Sequence, residues 1–311
     1  MTNNMCIKSR SKYSFVNFMN GIIPQLHANG QHKTWQHYRA TLNSFMRFRQ
    51  NKDLSLRKIN AAMMESYESY LKQQNLCRNT SSFYMRILRA VYNRAVEQGL
   101  ITQQYPFRRV YTGIDKTRKR AIPFDTVKRI KQLDLQQSPA CNMAKDAFMM
   151  SFYLRGISFI DLAHLKKSDL QDGYLRYNLS KTRQQITVKW EPQMQALVDK
   201  YENLTENSPY LLPFLLYDNK KEKPSIQLYH NAESRITYHL KKIKQQLGIQ
   251  GNLTLYVARH SWATAARDHC QPISVISEAL GHDSETTTQI YLRSIQTSEV
   301  DRLNAQILSE L

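Results

Sequence analysis

Close to its C-terminus the chain carries the string LGHDSETTTQIY, Leu280 to Tyr291, which sets His282 nine residues ahead of a tyrosine. Upstream stands ARHSW, Ala258 to Trp262. A tyrosine oxygen can act as a nucleophile, and a phosphodiester is a target that needs help from its surroundings. Its negative charge repels nucleophiles and grows on the non-bridging oxygens in the transition state. Fixed cations and hydrogen-bond donors aimed at those oxygens lower the barrier, each by about 3 kcal/mol. Arginine is suited to this because its planar fork grips two oxygens at once, which lysine cannot. The string and the arginine together read as a site in which a phenol attacks phosphorus, breaking and rejoining DNA through a covalent tyrosyl link. Single residues say little, since the chain holds 18 tyrosines; the order of the groups carries the reading.

The elements that must position these groups are mostly helical. Trp35, Tyr38, Leu42, Phe45 and Phe48 recur at three- and four-residue steps, the stripe of a helix with one buried face. Arg39, Arg47 and Arg49 fall largely off that stripe, where they would meet phosphates. Met63, Met64, Tyr67, Tyr70 and Leu71 mark a second helix. A third follows Asn79-Thr80-Ser81, runs through Tyr84, Ile87, Leu88, Val91, Tyr92 and Ala95, and stops at Gly99. Its polar side holds Arg86, Arg89 and Arg94. Between Gln103 and Arg120 the periodicity lapses into a stretch with a proline, a glycine and many basic residues, including Arg118, Lys119 and Arg120. That composition fits a linker that touches a DNA backbone. Beyond it, Asp125–Leu133 reads as helix and Ala144–Lys166 as one long apolar helical region. Leu175, Tyr177 and Leu179, then Ile186, Val188 and Trp190, alternate with polar residues as a hairpin around SKTRQQ. Helices resume at Pro192–Tyr201 and Ser234–Leu247, then over Val257–His269, Ile273–Leu280 and the segment with Tyr291.

Charge agrees with a polyanionic partner. The 311 residues carry 44 Lys and Arg against 25 Asp and Glu, and residues 1–105 alone hold 15 basic and 4 acidic side chains. A basic N-terminal module beside a milder C-terminal one favours nucleic acid over an anionic membrane. No apolar run approaches the roughly 20 residues of a spanning helix, and the first residues lack the apolar centre of a signal peptide. Cys6, Cys77, Cys141 and Cys270 show no metal-binding spacing, so free thiols in a reducing cytoplasm are expected, with no zinc.

A hairpin lysine, then RHSW, then LGHxxxxTTxxY, in this order, resemble the tyrosine recombinases of the integrase family, and the resemblance spans almost the whole chain. It implies a mainly α fold with a small β-hairpin or sheet, arranged as a two-domain DNA clamp. Residues 1–105 would form a helical core-binding domain, 106–120 a basic linker, and 121–311 the catalytic domain with a C-terminal tail helix. Tyr291 would be the nucleophile, displacing the 5′ oxygen and holding the DNA by its 3′ phosphate. No cofactor, metal or ATP is implied, because bond energy is conserved in the link. Arg259 matches the family's second arginine, and His282 its phosphate-donating histidine. Lys181 stands where the family places the lysine that protonates the leaving oxygen, with Arg183 as a neighbouring competitor.

Two positions depart from the pattern. The family's HxxR puts a histidine where this chain has Tyr256, a poor base at neutral pH with an ordinary phenol pKa near ~10; His260 is a candidate helper. The first-arginine string GLRxxEL aligns with Gly156–Leu162 of GISFIDL, which puts Ser158 in the arginine's slot and Asp161 in the glutamate's. Arg155 precedes Ser158 by three residues, and on a helix such positions share a face. Arg155 is therefore expected to supply the missing charge; the plainer alternative pairs it with Asp161. The string RGxSFxDxAxL resembles a subgroup of integrases from conjugative transposons and genome-shuffling loci. The tail, with Ser298 and Asp301 as a helix start and Val300, Leu303, Ile307 and Leu311 as an apolar face, would dock on a neighbouring protomer. A monomer in solution that assembles to a tetramer on paired double-stranded DNA sites is implied, with DNA-bending proteins as accessory partners. The absence of an arm-binding segment before residue 10 favours a simple recombinase or invertase. The competing readings are a type IB topoisomerase-like enzyme and a DNA-binding protein that has lost catalysis.

Overall fold

A computed structural model describes residues 13–115, 121–215, 226–269, 271–282, 284–292 and Leu308, which fall into two compact units, Met1–Thr117 and Arg118–Leu311. Arg118, Lys119 and Arg120 lie outside the described residues. So does the tail face with Ser298, Val300, Asp301, Leu303, Ile307 and Leu311.

The first unit is built from α1 (Phe15–Ala28), α2 (His32–Phe48), α3 (Ala61–Gln73) and α4 (Arg78–Glu97). α1 adds to the three helices expected; Phe15, Met19, Ile22 and Ile23 form its buried stripe, and the Ser14 hydroxyl caps it by accepting from the Asn17 amide at 3.0 Å. Phe45 packs edge-on against Phe15 and Tyr67 at the centre of the unit. Burial pushes the Tyr67 phenol well above its ordinary pKa, and its hydroxyl is satisfied by donating to Ser44 Oγ at 2.8 Å.

The stretch read as a linker is, as far as Asp115, folded onto this unit. Phe107 and Val110 are buried, and the Tyr111 amide donates to Glu68 Oε1 at 2.8 Å. Asn79 and Asp115 exchange two hydrogen bonds, 2.7 and 3.0 Å long. The burial of Phe107 and Val110, spaced among the arginines, is what holds this stretch to the unit.

The second unit comprises α5 (Phe124–Gln132), α6 (Pro139–Tyr153), α7 (Phe159–Ala163), β1 (Leu170–Gln171), β2 (Tyr174–Asn178), β3 (Gln185–Lys189), α8 (Pro192–Asp199), α9 (Glu202–Thr205), α10 (Ile226–Leu247), α11 (Leu255–Asp268), α12 (Ile273–Leu280) and α13 (Glu285–Leu292). α6 is central, packed by α10 and α11, and buries Ala144, Ala147, Phe148, Met150 and Ser151 almost completely. The three strands form an antiparallel sheet in the order β1-β2-β3. Leu175 faces Val188 and Tyr177 faces Ile186, all buried, while Tyr174, Arg176 and Asn178 lie on the exposed face. The fold is mainly helical with a small sheet, as the sequence led one to expect; β1 is the strand its periodicity did not reveal.

One expectation fails here. Residues 144–166 are not a single helix: α6 ends at Tyr153, and Arg155 (φ 60°) and Gly156 (φ 80°) both enter the left-handed region. The Gly156 amide reaches back to the Ser151 carbonyl at 2.7 Å and the Arg155 amide to Phe152 at 3.1 Å, a helix-terminating pattern. Ser158 then caps α7, accepting from the Asp161 amide. The face shared by Arg155 and Ser158 on a continuous helix therefore does not exist. The break has a packing cause: a Cβ on Gly156 would collide with the Cα of Arg259.

Gly156→Ala thus meets both an unfavourable φ and a backbone it cannot displace. It should lower unfolding free energy by about 3 kcal/mol, the sum of left-handed strain and overpacking, as read from urea denaturation. A loss of only about 1–2 kcal/mol would match the strain alone and remove the close approach to Arg259 as a cause.

Candidate active site

Arg259 lies in α11 and its guanidinium is held by two backbone carbonyls. Nη1 donates to Gly156 at 3.1 Å and Nη2 to Leu280 at 2.5 Å. These bonds use two of the five N–H donors and fix the plane of the fork. They also join the turn after α6 to the end of α12.

That end is the LGH turn. Gly281 adopts φ 63°, its amide donates to Glu278 at 2.9 Å, and the His282 amide donates to Ser277 at 3.0 Å, closing α12 in a Schellman-type cap. A Cβ on Gly281 would stand 2.6 Å from Leu179 Cδ1 and 2.8 Å from Ile186 Cδ1, so the turn is seated on the β2–β3 hairpin. His282 is half-buried, and its Nδ1 lies 2.7 Å from the hydroxyl of Thr288, a fully buried residue of α13.

The hairpin loop closes with Leu179 and Gln184 paired through the Leu179 amide at 2.9 Å, and the Arg183 amide folds back to the Leu179 carbonyl at 2.8 Å. Lys181 and Arg183 are exposed on it. Its base is anchored by the buried Asp161. Oδ1 accepts from the Ser180 amide (2.9 Å) and hydroxyl (2.6 Å), and Oδ2 from the Ser158 hydroxyl (2.6 Å). Three donors satisfy this carboxylate, and among the described residues no cation pairs with it. The slot expected to hold an arginine thus holds a helix cap that also orients Asp161.

Arg155 is half-buried at the turn, and among the described residues it makes no ion pair with Asp161. Tyr177 reports its neighbourhood. Burial raises that phenol's pKa most, the Asp161 carboxylate adds to the rise, and the Arg259 and Arg155 guanidiniums oppose it. Both cations therefore act on one buried phenol of β2. Tyr256 and His260, one turn apart on α11, pack edge to face with ring centroids 4.6 Å apart. Tyr291 belongs to α13, which packs on α11 and α12; its side chain lies outside the described residues. The turns carrying Arg155 and His282, the hairpin loop carrying Lys181, and Arg259 itself are thereby interlocked in one unit.

In the first unit, Arg39, Arg47, Arg89 and Arg94 are exposed, while Arg49 and Arg86 are half-buried. Arg89 donates to Thr112 Oγ1 at 2.9 Å and Arg94 reaches Gln25 Oε1 at 3.4 Å. Arg39 lies over the Trp35 ring at 5.6 Å. They sit on α2 and α4, which pack together, with Arg49 as the residue closing α2. Sequence reasoning passed over Arg57 and Arg78, which stack over Tyr13 and Tyr111 at 3.8 and 3.7 Å, and gave no role to Thr288. For Thr288 the available signal was its place six residues after the histidine and three before the tyrosine.

Among the described residues no helix is long and apolar enough to cross a membrane. The phage integrase SAM-like domain matches residues 14–110, and the phage integrase family matches residues 121–297. The tyrosine recombinase XerC of Leptospira interrogans is 22% identical over 287 residues, covering 89% of this chain and 86% of that protein. The tyrosine recombinase XerD of Shewanella oneidensis is 23% identical over 256 residues, covering 82% and 83%. Among solved structures, a lambda integrase tetramer bound to a Holliday junction superimposes with a TM-score of 0.69 at 17% identity, covering 89% of this chain and 77% of that one. The Tn1549 transposon integrase in complex with transposon right end DNA does so with 0.63 at 12% identity, covering 94% and 99%. The model of the catalytic family spans more than half of the sequence and takes in Arg259, the LGH turn and Tyr291: the chain belongs to the phage integrase family.

Proposed function

We propose that the chain is a site-specific DNA recombinase that cleaves and rejoins duplex DNA through a 3′-phosphotyrosyl link to Tyr291. The observation that carries this reading is the double tether of Arg259, which brings the Arg155 turn and the LGH turn to one guanidinium. The remaining N–H donors of Arg259, the ring of His282 and the Arg155 guanidinium would bind the non-bridging oxygens and take up charge as the phenol attacks. Lys181, on an exposed loop anchored at its base, is the group to give the 5′ oxygen its proton on departure. Tyr256 and His260 would assist at the edge of the site in place of the usual histidine.

Arg155 as the first arginine is supported by its backbone. A residue with a Cβ is disfavoured in the left-handed region by about 1–2 kcal/mol, and glycine is the usual occupant of this capping position. An arginine kept there at a stability cost is a candidate for function. Its RGxSFxD context agrees with the subgroup of mobile-element integrases. The first unit, with the arginines of α2 and α4, would be the core-binding domain, and the linker arginines Arg118 and Arg120 with Lys119 would reach the backbone. Assembly as a tetramer on two paired sites, with DNA-bending proteins assisting at the nucleoid, completes the proposal.

On a nicked suicide substrate the native protein should form a covalent complex that Tyr291→Phe eliminates; a surviving band removes Tyr291 from its role. Arg155→Gly should separate stability from activity. It is expected to melt at or above the native temperature, since about 1 kcal/mol of strain is relieved, while covalent complex formation is abolished. Near-native cleavage by this variant would remove Arg155 from the site. Lys181→Ala should slow cleavage roughly 10²- to 10⁴-fold, and a substrate with sulfur at the 5′ bridging position should restore it, because a thiolate leaves without a proton. Restoration confined to Arg183→Ala would transfer the role to Arg183.

A further inference from the structure

The contact between His282 and Thr288 assigns a role that the proposed chemistry leaves open. A neutral imidazole carries one hydrogen on either of its nitrogens, and only the nitrogen that bears it can donate to a phosphate oxygen. His282 Nδ1 is occupied by Thr288 Oγ1 at 2.7 Å, and Thr288 is fully buried. The ring's backbone is equally constrained: the His282 amide closes the cap of α12, and Gly281 is wedged against Leu179 and Ile186 of the hairpin. Were Nδ1 to donate to the threonine oxygen, Nε2 would be an acceptor and would repel a phosphate.

We infer that Thr288 is a positioning residue: its hydroxyl donates to Nδ1 and holds His282 as the Nε2–H tautomer, the form that gives a hydrogen bond to the scissile phosphate. The same hydroxyl fastens α13, which carries Tyr291 one helical turn further on, to the LGH turn. One side chain then ties the helix of the proposed nucleophile to the proposed phosphate donor. The inference rests on the reading of His282 as a phosphate donor, and its test separates the two.

The ring ¹⁵N shifts of His282 in the DNA-free protein, assigned by their loss in His282→Gln and recorded above the pH at which the ring titrates, report the tautomer directly. The native protein and Thr288→Ser should carry the hydrogen on Nε2, and Thr288→Val, which keeps shape but not the hydroxyl, should show a mixture. Single-turnover cleavage at saturating DNA should fall roughly 10- to 100-fold in Thr288→Val and be retained in Thr288→Ser, with DNA affinity unchanged in both. Hydrogen on Nδ1 in the native ring, or an unchanged tautomer in Thr288→Val, overturns the inference about Thr288. A changed tautomer with undiminished cleavage instead overturns the role of His282 as phosphate donor.

Discussion

The close approach of the Gly156 backbone to Arg259 is the constraint on which the site depends. Because no side chain fits between them, the chain after α6 must turn sharply, and the carbonyl exposed by that turn is what the Arg259 guanidinium grips. With its other arm on Leu280, the arginine fixes α12, whose terminal glycine in turn sits on the hairpin. Each contact is ordinary alone. Linked in series, they leave Arg259 and the turns of Arg155 and His282 little room to shift, which suits the proposed chemistry, where small misplacements are costly.

Asp161 performs the corresponding task on the other side. Its carboxylate is buried, accepts three hydrogen bonds from Ser158 and Ser180, and so joins the start of α7 to the base of the lysine loop. The two anchors divide the work: Arg259 ties the ends of helices, and Asp161 ties the base of the loop that carries Lys181. Tyr177, buried in β2, feels the charges of both anchors, Asp161 and Arg259.

Much of this was legible beforehand. The stripes of α2, α3 and α4, the hairpin, and the LGH and RHSW strings are local patterns whose spacing directly encodes a face or a turn. What eluded sequence reasoning was set by contacts between distant segments. The break at Arg155–Gly156 follows from the nearness of Arg259, about a hundred residues on, and a run of apolar residues on either side of it reads as one helix. The stretch after Gln103 looked like a connector because its turn residues and charges are plain, whereas the packing of Phe107 and Val110 depends on the tertiary pocket that receives them. Thr288 stood inside the most telling string and went unassigned, because a hydroxyl declares a role only once its partner is known.

Among the described residues neither Arg155, Lys181 nor Arg259 is ion-paired with a carboxylate: carbonyls hold Arg259, and hydroxyls and an amide neutralise the demands of Asp161. A cation already matched to a carboxylate must give up that partner before it can take a phosphate, and the exchange cancels most of the attraction. With no such partner among the described residues, a phosphate bound at these cations would displace salt ions instead, and the gain would be entropic and grow as ionic strength falls. Carbonyls hold Arg259, and hydroxyls with an amide hold Asp161, so the bonds that fix the site are separate from those an anion would make.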